Sequence, residues 1–268
     1  MDRRDVGICD LEFAAGHLPE VDILGLKVHC IDMPQALDAV RGFIASGTPH
    51  MIVTADSSMV VLARRDEDFR ALVNSADLVT PDSSGIVLAA KLLGTPVKER
   101  VSGCDLSREI CRMAAREGFS IYLLGAAPGV AAEAARRLGE EFAGLRIAGT
   151  HHGYFDPSQD RRIAAEVKAS GAEVLLVGMG IPRQERFIRD NLQDLGVCVA
   201  MGVGGTLDVL SGRVKRAPVW MQRHGLEWLH RLIVNPRKFP KVAALPRFLA
   251  MVLWARAAGA GSKVHNRE

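Results

Sequence analysis

The stretch Ser75 to Gly85, SADLVTPDSSG, carries a carboxylate out of an apolar run and into a loop of small residues. Ala76 to Thr80 reads as the end of a buried strand, Pro81 stops it, and Ser83, Ser84 and Gly85 leave room for a ligand beside Asp82. A carboxylate so placed can take a proton from a hydroxyl, which is the work of a general base. It also has a purely local use. Asp ahead of a helix commonly accepts hydrogen bonds from the first-turn amides, so on this evidence alone Asp82 reads as the cap of a helix starting near Ser84.

Other residues with chemical potential are fewer. Gly202, Val203, Gly204, Gly205, Thr206, Leu207 and Asp208 follow an apolar run. Glycines there let the backbone approach a flat or phosphorylated ligand, and Asp208 could accept from ribose hydroxyls or a base. The dinucleotide fingerprint GxGxxG is not met, because Leu207 stands where its last glycine belongs, and Gly178 to Pro182 fails the same test at Arg183. A nicotinamide oxidoreductase thereby loses its best support, and both runs also suit plain strand-to-helix turns. Asp66, Glu67 and Asp68 spell the DxD letters of many metal-dependent sugar-nucleotide transferases, yet they sit at the start of a helical stretch, where acids favour the macrodipole. His151 and His152 are adjacent and lack the spacing of a metal site. Cys104 and Cys111 lie two helical turns apart and read as core rather than catalytic.

These residues need elements to place them. Strands are expected at Ile23 to Ile31, His50 to Thr54, Ala76 to Thr80, Phe119 to Leu124, Leu145 to Gly149, Glu173 to Gly178 and Val197 to Met201. Helices are expected at Pro34 to Gly47, from Ser58, at Ser84 to Leu93, from an Asp105 cap to Gly118, and at Pro128 to Phe142, Pro157 to Ser170 and Pro182 to Leu195. Short apolar runs alternating with amphipathic helices are the mark of βαβ units. The expected fold is therefore α/β, a Rossmann-like, mostly parallel sheet with helices on both faces. Thr54, Asp82, Gly125, Gly178 and Gly202 all fall at C-terminal strand ends, where such sheets bind ligands.

Three parts are expected: a loose segment 1–22, a core 23–212 and a basic appendage 213–268. With 268 residues and 48% hydrophobic content the chain can bury a sizeable core. Its five cysteines are scattered, with no CxxC pair, which fits a reducing cytoplasm better than a disulfide framework. No secretory signal is evident, and no run approaches the roughly 20 apolar residues of a spanning helix. The net charge of +3 hides an asymmetry: from Arg213 onward there are 12 Lys and Arg against 2 acids, and before it 22 against 29. Such a block seeks an anionic partner. Ala217 to Val234 reads as one helical segment. Phe248 to Ala255 suits a helix lying in a membrane interface, with Phe248, Leu249, Val252, Leu253 and Trp254 below the headgroups.

With these residues in hand, the chain resembles the WecG/TagA/CpsF family of glycosyltransferases. The likeness runs from about Ile23 to Pro236, through ADLVTPDSSGIVLAAKLLGTPVKERVSGCDL, YLLGAAPGVAAEAA, GTHHGYF, VGMGIPRQE and GVGGTLDVLSGRVKRAPVWMQRHGLEWLHRL. It implies an inverting, metal-independent transfer of an N-acetylmannosamine-type sugar, with no cofactor. The donor would be a UDP-sugar and the acceptor a polyprenyl-diphosphate-linked sugar, in cell-surface polysaccharide synthesis. It puts the base at Asp82, donor and acceptor contacts at Thr54, Arg100 and Gln184, the nucleotide loop at Gly204, Gly205 and Asp208, and the basic appendage at Arg231, Arg237, Lys238 and Lys241. Family members usually carry Asn and Pro where this chain has Asp56 and Ser57, and Gly where it has Ser83, so Asp56 and Ser83 are expected beside the donor sugar. An anionic membrane surface is the expected partner, on the inner face of the bacterial plasma membrane, with a homo-oligomer left open. Two other readings stand beside this one: a nicotinamide enzyme, and a non-catalytic binder of UDP-sugars or nucleic acid.

Overall fold

The structure is a computed structural model and describes residues 18–95, 97–234, 239–258 and 264–265. The chain begins with a hairpin, β1 (Glu20–Ile23) and β2 (Leu26–His29), where a single strand was expected. Its two-residue turn has Leu24 and Gly25 at positive φ, and Asp22 Oδ1 accepts from the Gly25 N–H at 2.6 Å, so the chain reverses inside the apolar run. Helix α1 (Met33–Ser46) follows, its capping box made by Asp32 and Gln35. Next come β3 (His50–Ala55), α2 (Ser57–Ala63), α3 (Glu67–Asn74), β4 (Leu78–Pro81), α4 (Ser84–Leu92) and α5 (Gly103–Glu117). The second half runs β5 (Ser120–Gly125), α6 (Val130–Glu141), β6 (Arg146–His151), α7 (Asp160–Ala169), β7 (Val174–Gly178), α8 (Arg183–Asn191), β8 (Val199–Gly202) and α9 (Thr206–Leu210).

Six strands form one parallel sheet in the order β4-β3-β8-β7-β5-β6. Apart from the edge strand β6, its strands are largely buried on both faces, and the alternation is visible at single-residue resolution. Val53, Val79, Leu124, Val177 and Ala200 pack in the cluster that includes α2, α3, α7 and α8, whereas Ile52, Leu78, Leu123, Leu176 and Met201 pack in the cluster with α1, α5, α6 and α9. The Rossmann-like expectation holds.

The C-terminal segment differs most from its sequence reading. Ala217 to Val234 is two helices, α10 (Val219–Arg223) and α11 (Glu227–Val234), separated at Gly225, whose φ of +71° a side chain rarely adopts. Helix α12 (Phe239–Ala257) passes through Pro246 and lies against α2 and α4. Phe248 and Val252, expected below the headgroups, are fully buried in the core, while Leu253 and Trp254 remain 56% and 72% exposed. The helix therefore packs through one face and presents the other. A last short strand, β9 (Val264–His265), pairs antiparallel with β1. No helix among the described residues is long and apolar enough to cross a membrane. Residues 1–17, which hold most of the segment expected to be loose, lie outside the described residues, as do Arg237 and Lys238.

Candidate active site

Parallel pairing fixes where β4 delivers its loop. Ala55 is in register with Pro81, so the Asp82 N–H donates to the Ala55 carbonyl at 3.0 Å and the ladder runs one bond past the strand. The Val101 N–H then donates to the Pro81 carbonyl at 3.0 Å, which brings the start of α5 alongside. There Asp82 Oδ1 accepts from the Gly103 N–H at 2.5 Å. Asp82 is thus not the cap of the helix that follows it. Ser83 holds that position, its Oγ accepting from the Ile86 N–H at 3.3 Å, and the Asp82 carboxylate crosses to the first residue of α5. Thr54 completes this corner. Its hydroxyl donates to the Gly202 carbonyl at 2.9 Å, and a Cβ on Gly103 would come to 3.0 Å from its methyl group, so the two residues approach closely.

Asp105 was expected to cap α5, but Ser102 stands at the N-cap and Asp105 lies within the first turn. Its carboxylate receives both terminal nitrogens of Arg216, at 2.5 and 2.7 Å. Burial is the largest single influence on Asp105 and opposes its charge, but the hydrogen bonds and charge of Arg216, the charge of Arg100 and a Ser102 hydrogen bond together outweigh it and hold the carboxyl below its usual range. Arg100 stands beside them, 3.8 Å from Asp105 and bonded at 2.9 Å to Glu227, the first residue of α11. Burial pushes the neighbouring Cys104 thiol up to about 11, with Asp105, Glu227 and Asp82 adding to the effect against Arg216, so it is a neutral thiol and not a nucleophile.

The remaining expected residues fall into two groups. Gln184, only 2% exposed, uses its side-chain carbonyl as a clamp. It accepts from the Gly180 N–H at 3.1 Å and the Gly204 N–H at 2.9 Å, tying the turns after β7 and β8 together, while its amide donates to Glu185. Gly204 and Gly205 line this turn, and Asp208 lies in α9 with its backbone carbonyl accepting from the Val214 N–H. Gly125 and Gly178 pair at the neighbouring strand ends, and a Cβ on Gly125 would overlap the Gly178 carbonyl. Asp56, expected beside the donor sugar, caps α2, its Oδ1 accepting from the Met59 N–H at 2.8 Å and the Ser58 hydroxyl at 2.6 Å. Ser83 Oγ lies 3.4 Å from Ser57 Oγ, and Gly85 is the residue that leaves room for Ser57.

Elsewhere, Asp66 caps α3 and pairs with Arg186, and Asp68 pairs with Arg189, so the DxD letters do structural work. His151 bonds through Nδ1 to the His152 carbonyl and packs edge-on to Phe155. Arg231 lies one helical turn beyond Glu227 in α11, and Lys241 is in the first turn of α12. Sequence reasoning missed Arg216 and Glu227. The signal was present: Glu227 is one of only two acids in the strongly basic last fifth of the chain.

A parallel sheet whose strand ends gather glycine turns, a held carboxylate and two guanidiniums defines a Rossmann-like domain, a fold class that binds ligands at the C-terminal edge of its sheet. The family model described as glycosyl transferase WecG/TagA/CpsF matches residues 21–261, and the chain belongs to that family. Among its relatives is an N-acetylglucosaminyldiphosphoundecaprenol N-acetyl-beta-D-mannosaminyltransferase of Bacillus spizizenii, 36% identical over 202 residues, which span 75% of this chain and 78% of the relative. A Bacillus subtilis protein of the same name is 32% identical over 204 residues, 76% and 78% of the two chains. The nicotinamide and nucleic-acid readings find no support in these relatives.

Proposed function

We propose that this chain transfers N-acetylmannosamine from a UDP donor to the N-acetylglucosamine of a polyprenyl-diphosphate acceptor, with inversion and without a metal, in cell-surface polysaccharide synthesis. The observation that carries the reading is the placement of Asp82. A carboxylate is fixed by the first amide of α5 at the strand ends, and Arg100 and Arg216 converge on Asp105, two residues further along that helix. Support for the sugar and the acceptor comes from the names of the Bacillus relatives.

The chemistry is one in-line displacement. The acceptor hydroxyl oxygen forms a bond to the anomeric carbon while the bond from that carbon to the UDP oxygen breaks. Asp82 takes the hydroxyl proton, and UDP leaves with the electron pair. The transition state has oxocarbenium character by analogy with glycoside hydrolysis. Charge growing on the β-phosphate is met by guanidiniums and backbone amides. Gln184 contributes by fixing the two glycine turns. The exposed side chains Leu253 and Trp254 on α12, together with the basic residues of the last fifth, suit the surface of an anionic inner membrane leaflet, where the acceptor resides.

A panel of UDP-sugars offered with a polyprenyl-diphosphate N-acetylglucosamine acceptor tests donor and metal together. UDP release is expected to be fastest with the N-acetylmannosamine donor and to survive excess chelator. Loss of activity with chelator and its return with manganese would overturn the metal-free account, and a faster reaction with another donor would overturn the sugar.

A further inference from the structure

The Gln184 carboxamide works only one way round. Its oxygen receives two backbone amides, those of Gly180 at 3.1 Å and Gly204 at 2.9 Å, and both glycines stand at positive φ, +80° and +55°. Turned through half a rotation, the same group would set its NH2 against two N–H donors and release both turns. A carboxamide's oxygen and nitrogen are alike in size, so shape alone does not choose between the two orientations.

The next residue secures the choice. Glu185 Oε1 accepts from Gln184 Nε2 at 2.7 Å, and Glu185 is completely buried in the first turn of α8. With its nitrogen engaged there, the Gln184 oxygen can only face the two glycines. Both polar ends lie over Gly202 at the end of β8, where a Cβ would stand 2.7 Å from Gln184 Nε2 and 3.1 Å from Glu185 Oε1. The turns themselves meet beside this point, since a Cβ on Gly178 would come to 2.8 Å from the Gly204 carbonyl oxygen. A buried polar pair is costly unless its bonds are made, so the arrangement is held for what it fixes.

We propose that Glu185 is a positioning residue of the donor site: it fixes the Gln184 carboxamide in the orientation that ties the turns after β7 and β8 together, and so holds both turns in the form that receives the donor. The inference rests on the reading of this chain as a user of a UDP-sugar. Gly202 belongs to the same device. Alanine there adds no hydrogen-bonding group and takes none away, but its methyl group displaces the Gln184 amide from Glu185.

Hydrogen exchange at the Gly180 and Gly204 amides of the full chain, read beside calorimetric titration with UDP, tests this, with thermal melts as the control for folding. Glu185→Leu, which fills the space without accepting, is expected to speed exchange at both amides about tenfold and to weaken UDP binding about tenfold. Glu185→Gln keeps a carbonyl acceptor and is expected to bind UDP between Glu185→Leu and wild type. Gln184→Met removes the clamp itself, and adding Glu185→Leu to it is expected to change UDP affinity by less than about threefold, because the two residues act as one unit. Wild-type UDP affinity in Glu185→Leu, or a double variant that multiplies the two single losses, overturns the proposal. If Glu185→Leu fails to fold, Gly202→Ala decides: it is expected to reproduce both effects, and wild-type exchange and affinity in it overturn the proposal. Weaker binding by Gln184→Met with none of these effects at Glu185 or Gly202 overturns the inference and leaves the donor reading standing. No UDP binding by the wild type overturns that reading, and the inference with it.

Discussion

Asp82→Asn lowers turnover by about 10²- to 10⁴-fold while UDP affinity stays within about threefold of the wild type. Asparagine keeps a carbonyl oxygen that can accept from the Gly103 N–H, so the start of α5 and the Thr54–Gly103 contact survive the change. What is lost is the basicity that takes the acceptor proton. Asp82→Ala is the less informative variant, because it also leaves the Gly103 N–H without this acceptor. Steady-state rates at saturating donor and acceptor, set beside UDP titrations, make the comparison. Turnover close to wild type in Asp82→Asn removes the carboxylate from the mechanism.

The second large effect is on stability and splits the residues of α12. Phe248→Ala is expected to cost about 3–5 kcal/mol, since the ring is fully buried against the core and its removal leaves a cavity. Trp254→Ser, on the 72% exposed face, is expected to leave the urea midpoint unchanged and to weaken binding to anionic vesicles. An unchanged midpoint in Phe248→Ala would mean that α12 is not anchored as described. Equal vesicle binding by Trp254→Ser and wild type would remove this face from the membrane contact.

Most of the core was legible because its strands and helices differ in period. Val53, Val79 and Val177 alternate with Ile52, Leu78 and Leu176, and the glycine and proline punctuation falls at their ends. The hairpin at Leu24 and Gly25 was not legible, since an apolar residue at positive φ carries no turn signal. Asp82 could not be separated from a helix cap by local sequence. Ser83 can cap the same helix, and the partner that Asp82 takes, Gly103, is 21 residues away. The same limit hid the cluster of Arg100, Asp105, Arg216 and Glu227, whose members lie on segments up to 127 residues apart and meet only in the folded chain. In α12 the composition was read correctly as apolar and basic. Which apolar side chains face the core depends on where α2 and α4 lie, and no local pattern states that.

The central claim is that the sugar moves to the lipid-linked acceptor. Mass spectrometry of polyprenyl-diphosphate N-acetylglucosamine after incubation with enzyme and UDP-N-acetylmannosamine tests it most directly. The account predicts an acceptor heavier by one N-acetylhexosamine, formed in step with UDP and with the new bond inverted relative to the donor. UDP released while the acceptor mass stays unchanged, or a bond that retains the donor configuration, would contradict it.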